Sequence, residues 1–191
     1  MGVVAIIQDT KLTILVDVDD VINNLCQTWI DWLNEKYKKN VQYDDIGQWN
    51  MNEYYPDLTD EEVCSPLYEE EFWKKVLPRF DAIKYLHTLI NEGYDVYLVT
   101  SSYYKTIAPK YEHLILKYYP FIGWDKVIVA AKKQMIKGDI MIDDAVHNLE
   151  GGSYLKILVT APHNRNYDTA SNGMLRANNW EEIYAIIHGD K

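Results

Sequence analysis

Three aspartates stand within four positions of "KLTILVDVDDVINN" (residues 11–24): Asp17, Asp19 and Asp20, directly after an apolar run. Like charges so close repel one another and lose hydration if buried, so they belong either on a solvated turn or around a cation. A second acidic pair, Asp143 and Asp144, ends the apolar run of "IMIDDAVHN" (140–148). Between the two clusters, "VYLVTSS" places Thr100 and Ser101 after an apolar run, and "VIVAAKKQM" carries Lys132 and Lys133. Carboxylates are the hard oxygen donors that magnesium takes. A hydroxyl, a backbone amide and an ammonium are donors suited to phosphate oxygens. Each piece alone has an ordinary reading. "DVDD" can be a solvated turn or a helix N-cap, "TS" a turn, and a loop lysine a solvated one. Asp20 and Asp144 can equally be capping residues of the helices that follow them.

What decides between these readings is where the chain puts the four segments. Leu12 to Val16 is short and β-branched, the pattern of a strand buried on both faces. From Val21 the period becomes helical, with Ile22, Leu25, Cys26, Trp29, Trp32 and Leu33 on one face, and the helix is expected to end near Asn40. Residues 41–78 lose that regularity and become aromatic and acidic, although "TDEE" (59–62) has the form of a capping box with Thr59 as N-cap and Glu62 reaching back. After Pro78 a helix with Ile83, Leu86, Leu89 and Ile90 is expected, capped by Asp81 and stopped by Gly93. Strands are expected at 94–99, 127–130, 140–142 and 156–160, with a helix carrying Tyr111, Leu114, Ile115 and Tyr118 between the first two. A last helix, "NWEEIYAII", follows. Strands alternating with helices predict an α/β fold, a mostly parallel sheet with helices on both faces. Ligands gather at the carboxyl ends of such strands. All four chemically suited segments follow predicted strands, and a shared site explains that better than four unrelated turns. The expected division is an α/β core of residues 1–20 and 79–191 with a small helical cap, 21–78, inserted after the first strand.

The totals narrow the partners. The chain has 191 residues, 48% hydrophobic and 25% charged, enough for one sizeable core. Nineteen basic against 29 acidic side chains leave a formal charge of −10, which repels a phosphate backbone, and the densest basic clusters are mere pairs. No nucleic acid polymer is therefore expected as a partner, while a small anion remains accessible wherever a metal ion reverses the local field. Two cysteines, Cys26 and Cys64, predict a reducing compartment and no disulfide framework. "MGVVAIIQDT" lacks the basic start of a signal peptide and, with Ile6 where Ser or Thr is needed, the acylation pattern. No apolar stretch approaches membrane-spanning length, so no membrane partner and a cytoplasmic location are expected. A homodimer is compatible with the sequence but not specified by it.

In their order, DxDxV, hydrophobic-Thr-Ser, Lys and hydrophobic-Asp-Asp, the four motifs resemble those of the haloacid dehalogenase superfamily of phosphotransferases. "ILVDVDDV", "VYLVTSS", "VIVAAKKQMIKGDIMIDD", "APHNRNYD" and "NNWEEI" together resemble the 5′(3′)-deoxyribonucleotidases. The resemblance implies a Rossmann-like core and a magnesium-dependent phosphatase of nucleoside monophosphates, with pyrimidine deoxyribonucleotides as the expected small-molecule substrates. By the same resemblance Asp17 is the nucleophile that forms an aspartyl-phosphate, and Asp19 the acid and then the base. Magnesium is expected on the Asp17 carboxylate, the Asp19 carbonyl and Asp143, with waters and the phosphate completing an octahedron. Thr100, the Ser101 amide and Lys133 are expected on the phosphoryl oxygens, Lys133 rather than Lys132 because, ten residues before Asp143, it matches the position of the lysine in the family it resembles. Asp144 is expected one step further out, orienting Lys133 or water around the ion. Trp49, Phe72 and Trp73 are the expected base platforms, each equally able to be plain core of a small lobe, and Leu25 the apolar neighbour of the sugar 2′ carbon. The His163–Asn166 run matches in wording without an assigned role, and His147 and His113 read as surface or packing residues. Another small phosphate monoester as substrate, or a non-catalytic nucleotide-binding module, are the competing readings. A phosphate-accepting receiver domain fails on motif order.

Overall fold

The computed structural model describes residues 12–189, so the expectations about a leader or acylation signal, which concern residues 1–11, lie outside the described part. Six parallel strands form one sheet in the order β3-β2-β1-β4-β5-β6. They are β1 (Thr13–Asp17), β2 (Asp95–Thr100), β3 (Val127–Val129), β4 (Ile140–Asp143), β5 (Leu155–Val159) and β6 (Leu175–Ala177). The sixth was not expected: "LRA" is too short to show alternation, and it is recruited by pairing with β5, Ile157 opposite Leu175.

Alternation along β1 sends Ile14 and Val16 to one face and Leu15 to the other. The first face is covered by α4 (Phe80–Glu92) and α8 (Trp180–Ile187), through Leu86, Leu89, Trp180 and Ile183. The second packs Met141 and Leu158 beneath Leu149 of α7 (Val146–Leu149). Burial on both faces is what made β1 legible as a continuous apolar run. Gly93 ends α4 with φ 98, a left-handed conformation that costs glycine nothing. Asp81 does not cap that helix. Arg79 holds the N-cap position, and the Asp81 carboxylate accepts only from the Ala82 amide at 3.0 Å in the first turn.

Between β1 and α4 the chain forms α1 (Leu25–Tyr37), α2 (Asp60–Cys64), α3 (Glu70–Lys75) and three 3-10 turns. Ile30, Leu33, Ile46, Met51, Tyr55 and Val63 give this segment a hydrophobic cluster of its own, while Phe72, Trp73 and Val76 join the main one. Helix α1 starts four residues later than the periodicity from Val21 suggests, because the intervening carbonyls bond elsewhere. Trp180 Nε1 donates to Val21 O at 3.0 Å, the Arg79 amide to Ile22 O at 2.8 Å and Arg79 Nε to Asn23 O at 3.3 Å. Those bonds pin the acidic loop to the core. The helix after β2 is also interrupted: α5 (Tyr104–Lys110) contains Pro109 and passes through a π-helical turn, Tyr111–Ile115, into α6 (Leu116–Tyr118). No helix among the described residues is long and apolar enough to cross a membrane.

The capping box is present: Thr59 Oγ1 accepts from the Glu62 amide at 3.3 Å and Glu62 Oε2 accepts from the Thr59 amide at 2.8 Å. Thr59→Ala is expected to lower stability by about 1 kcal/mol in urea unfolding. The Thr59 amide and hydroxyl hold the Glu62 carboxyl below its ordinary 4.5. That contribution is therefore complete above pH 4.5 and lost as the pH falls through the lower folded-state value, so the wild-type advantage over Thr59→Ala should shrink in acid.

Candidate active site

Register brings the motifs together. Val16 pairs with Ile142, so the next residues, Asp17 and Asp143, lie side by side at the carboxyl ends of the adjacent strands β1 and β4. Asp17 pairs with Val99, which puts Thr100 one residue beyond on the other flank. The chain runs outward from β1 through β2 to β3, then crosses to β4 on the opposite side of β1, the switch point at which open parallel sheets form a crevice.

Asp17 is 5% exposed, Asp143 0% and Lys133 1%. The Lys133 ammonium contacts Asp17 Oδ1 and lies 2.7 Å from Asp143 Oδ2. The other Asp143 oxygen accepts from the Ala145 amide at 2.8 Å and from Asn148 Nδ2 at 3.2 Å. Asp144 is buried as well: its Oδ2 is 3.6 Å from His163 Nε2, and its Oδ1 has no hydrogen-bond partner among the described residues. Ligand atoms of Asp17, Asp143 and Asp144 all lie within 4.8 Å of one another. Three buried carboxylates thus face one ammonium. Burial pushes the Asp17 carboxyl up to about 8, with Asp143 and Asp19 adding to it against the pull of Lys133. Burial likewise holds Asp144 well above the ordinary carboxylate range, and the charges of Asp143, Asp17 and Asp20 act in the same sense. An oxygen set carrying surplus negative charge, with one buried oxygen unpartnered, fits a hard divalent cation. The surprise within it is Asp144, expected further out but grouped with Asp17 and Asp143.

Asp19 projects from the loop after β1 rather than into that group. Its Oδ2 meets Lys110 and its Oδ1 accepts from Asn23 Nδ2 at 3.2 Å. Asp20 follows the bland reading: at φ 58 its carboxylate accepts the Cys26 amide at 3.0 and 3.2 Å and so caps the start of α1. Thr100 is buried, with its hydroxyl 2.8 Å from Ser102 Oγ and 3.1 Å from Lys110 Nζ. The Ser101 hydroxyl donates away, to Ala130 O at 3.0 Å. Sequence reasoning missed Lys110. It is buried among Asp19, Thr100 and Ser102, 5.2 Å from the centre of the Trp73 ring. The one available signal was its spacing, four residues after Thr106 and four before Leu114, both buried.

Asp17, Asp19, Asp20 and Lys133 line a cleft of about 510 Å³ between the sheet ends and the helical segment. Leu25, Trp49 and Trp73 line it, as do both free cysteines. Phe72 does not. It is fully buried, edge-on to Trp32 at 5.7 Å and to Trp73 at 5.5 Å, because neighbouring residues on α3 point to different sides and only Trp73 faces the cleft. Trp49 is 58% exposed and stands edge-on to His147 at 5.1 Å and His163 at 5.0 Å. His147 is exposed, the surface alternative of the two expected for it.

Comparison with known proteins places this arrangement. The family described as "5′ nucleotidase, deoxy (Pyrimidine), cytosolic type C protein" matches residues 11–191. A 5′(3′)-deoxyribonucleotidase of Bacillus subtilis is 34% identical over 175 residues, 91% of this chain and 96% of the relative. One from Clostridium acetobutylicum is 30% identical over 184 residues, 95% and 97% of the two chains. Among solved structures, a haloacid dehalogenase-like hydrolase of Streptococcus pneumoniae superposes with a TM-score of 0.66 at 12% identity, covering 93% of this chain and 98% of its own. A haloacid dehalogenase family hydrolase of Deinococcus radiodurans, solved with bound phosphate and sodium, gives 0.62 at 12% identity over 94% and 96%. These two support the fold.

Proposed function

The chain belongs to the 5′ nucleotidase, deoxy (pyrimidine), cytosolic type C family and is a phosphoric monoester hydrolase; we propose that it removes phosphate from 5′- and 3′-deoxyribonucleotides of pyrimidines, with magnesium, through an aspartyl-phosphate on Asp17. The observation that carries this reading is the meeting of Asp17, Asp143 and Lys133, with Asp17 and Lys133 lining a cleft that has Trp49 on its wall. Two of the most similar relatives bear the name 5′(3′)-deoxyribonucleotidase.

Asp17, Asp143, Asp144 and the Asp19 carbonyl would hold the ion. When bound, magnesium supplies positive charge to the phosphoryl oxygens and keeps the neighbouring carboxylates ionised. A carboxylate oxygen of Asp17 attacks phosphorus, forming an O–P bond as the bond to the sugar oxygen breaks. The departing oxygen takes the proton of Asp19. Asp19, now ionised, removes a proton from water, which attacks phosphorus and breaks the bond to Asp17, returning both carboxyls to their starting states and releasing phosphate. Lys110 and Asn23 hold the Asp19 side chain at the cleft for this transfer. Lys133, Thr100 and the Ser101 amide carry the non-bridging oxygens, in the manner of an oxyanion site. The inserted helical segment, read as the cap, supplies the substrate walls. Trp49 offers its exposed ring to a base, Trp73, 1% exposed, backs the wall behind Lys110, and Leu25 gives a 2′-hydroxyl no partner. Stranding that hydroxyl costs ~1–3 kcal/mol, which favours deoxyribose by roughly 10- to 100-fold in kcat/KM.

The test is phosphate release from dUMP, dTMP, the matching 3′-phosphates, UMP and sugar phosphates, each with magnesium and with chelator. Deoxyribonucleotides should lead, and chelator should abolish turnover. Faster turnover of sugar phosphates would remove the nucleotide assignment, and turnover in chelator would remove the metal.

A further inference from the structure

The "PHNR" stretch, Pro162 to Arg165, has no part in the steps above, yet it touches both the acidic cluster and the helical segment. His163 Nε2 lies 3.1 Å from the Asp144 carbonyl oxygen, and Asn164 Nδ2 donates to the same oxygen at 2.7 Å. Asn164 is itself fixed: Nδ2 donates to Val159 O at 2.7 Å, and Oδ1 accepts from the Ala161 amide and from Arg176 Nη1, both at 3.1 Å. On its other side the His163 ring meets Trp49 across the cleft wall, and Arg165 Nη2 reaches Asp44 Oδ1 at 3.2 Å. Two consecutive side chains therefore hold the backbone of Asp144, while the residues on either side of Asn164 each hold one point of the helical segment. His163 touches both Trp49 and Asp144.

We propose that His163 is a positioning residue that couples the substrate-facing Trp49 to Asp144, so that placement of the base wall and affinity for the divalent ion depend on each other. This rests on the nucleotidase reading for the identity of the base. Coupling of two sites through a shared residue is reciprocal in binding free energy. A change at Trp49, which touches no carboxylate of the cluster, must then alter ion binding, whereas a merely structural histidine would leave ion binding to the carboxylates alone.

The experiment is calorimetric titration of magnesium into substrate-free protein, wild type, His163→Ala, His163→Gln and Trp49→Ala, with KM and kcat for dUMP measured in parallel. His163→Ala should weaken magnesium by about 10-fold, the usual cost of removing a group that orients a ligand. It should also raise the dUMP KM about 2- to 10-fold through the lost ring contact. His163→Gln, which keeps a donor for the Asp144 carbonyl but not a ring for Trp49, should recover ion affinity only as far as the Trp49→Ala level and leave KM raised. Trp49→Ala should weaken magnesium measurably in the absence of any nucleotide. The proposal is overturned if Trp49→Ala leaves magnesium affinity at the wild-type value, or if His163→Ala changes only one of the two quantities. Should wild-type protein prove inactive on every nucleotide while titrating magnesium normally, the nucleotidase reading fails, and the magnesium arms still decide the coupling.

Discussion

Asp17→Asn is expected to eliminate phosphate release, lowering kcat by on the order of 10⁴-fold, or about 5 kcal/mol of transition-state stabilisation. The amide matches the carboxylate in shape but is a far weaker nucleophile and carries no charge to hold a cation. The fold should tolerate it. Burial already pushes the Asp17 carboxyl up to about 8, and Lys133 keeps Asp143 at 2.7 Å as a remaining partner. Unfolding in chelator should therefore stay close to wild type, which separates lost chemistry from lost structure. Steady-state phosphate release together with trapping of a phosphoryl mimic checks both halves: the variant should neither turn over nor trap. Full turnover by Asp17→Asn would assign the nucleophile elsewhere.

Lys133→Met should be costly in two ways. It strips Asp17 and Asp143 of their shared ammonium, and removing one partner from a buried ionic group typically costs about 3–5 kcal/mol. Urea unfolding in chelator should register that loss. Added magnesium binds only the folded cluster and should return much of it. Activity should nonetheless stay low, by on the order of 10²–10³-fold, because an ion on the carboxylates does not replace a donor to the phosphoryl oxygens. Unchanged stability in chelator would mean that the carboxylates are protonated or solvated rather than held by Lys133.

What was legible in the sequence follows from physical range. Strands β1, β2 and β4 are buried on both faces, so continuous apolar runs marked them, and the polar residues after those runs marked one end of the sheet. That reasoning reached Asp17, Thr100 and Asp143, whose convergence needs only strand register, while Lys133 was picked out from Lys132 by the family resemblance. It missed what depends on side-chain direction or on distant partners. Phe72 and Trp73 are adjacent letters whose side chains leave a short helix in different directions. Lys110 resembles a solvated helix lysine until Asp19, 91 positions away in sequence, is placed beside it. The late start of α1 is set by Trp180 and Arg79, far along the chain, which take the carbonyls that a helix would have used. Asp144 and His163 belong together only because α7 and the turn at Pro162–Asn164 fold onto one strand end.

The claim that Asp17 and its neighbours form one phosphoryl-transfer centre is tested most directly by a crystal structure of the protein grown with magnesium and beryllium fluoride. The expected result is fluoride-bearing density joined to an Asp17 carboxylate oxygen, with an ion against Asp17, Asp143 or Asp144 and Lys133 turned to the fluorides. Beryllium fluoride on another carboxylate, or an ion bound away from these aspartates, would contradict it.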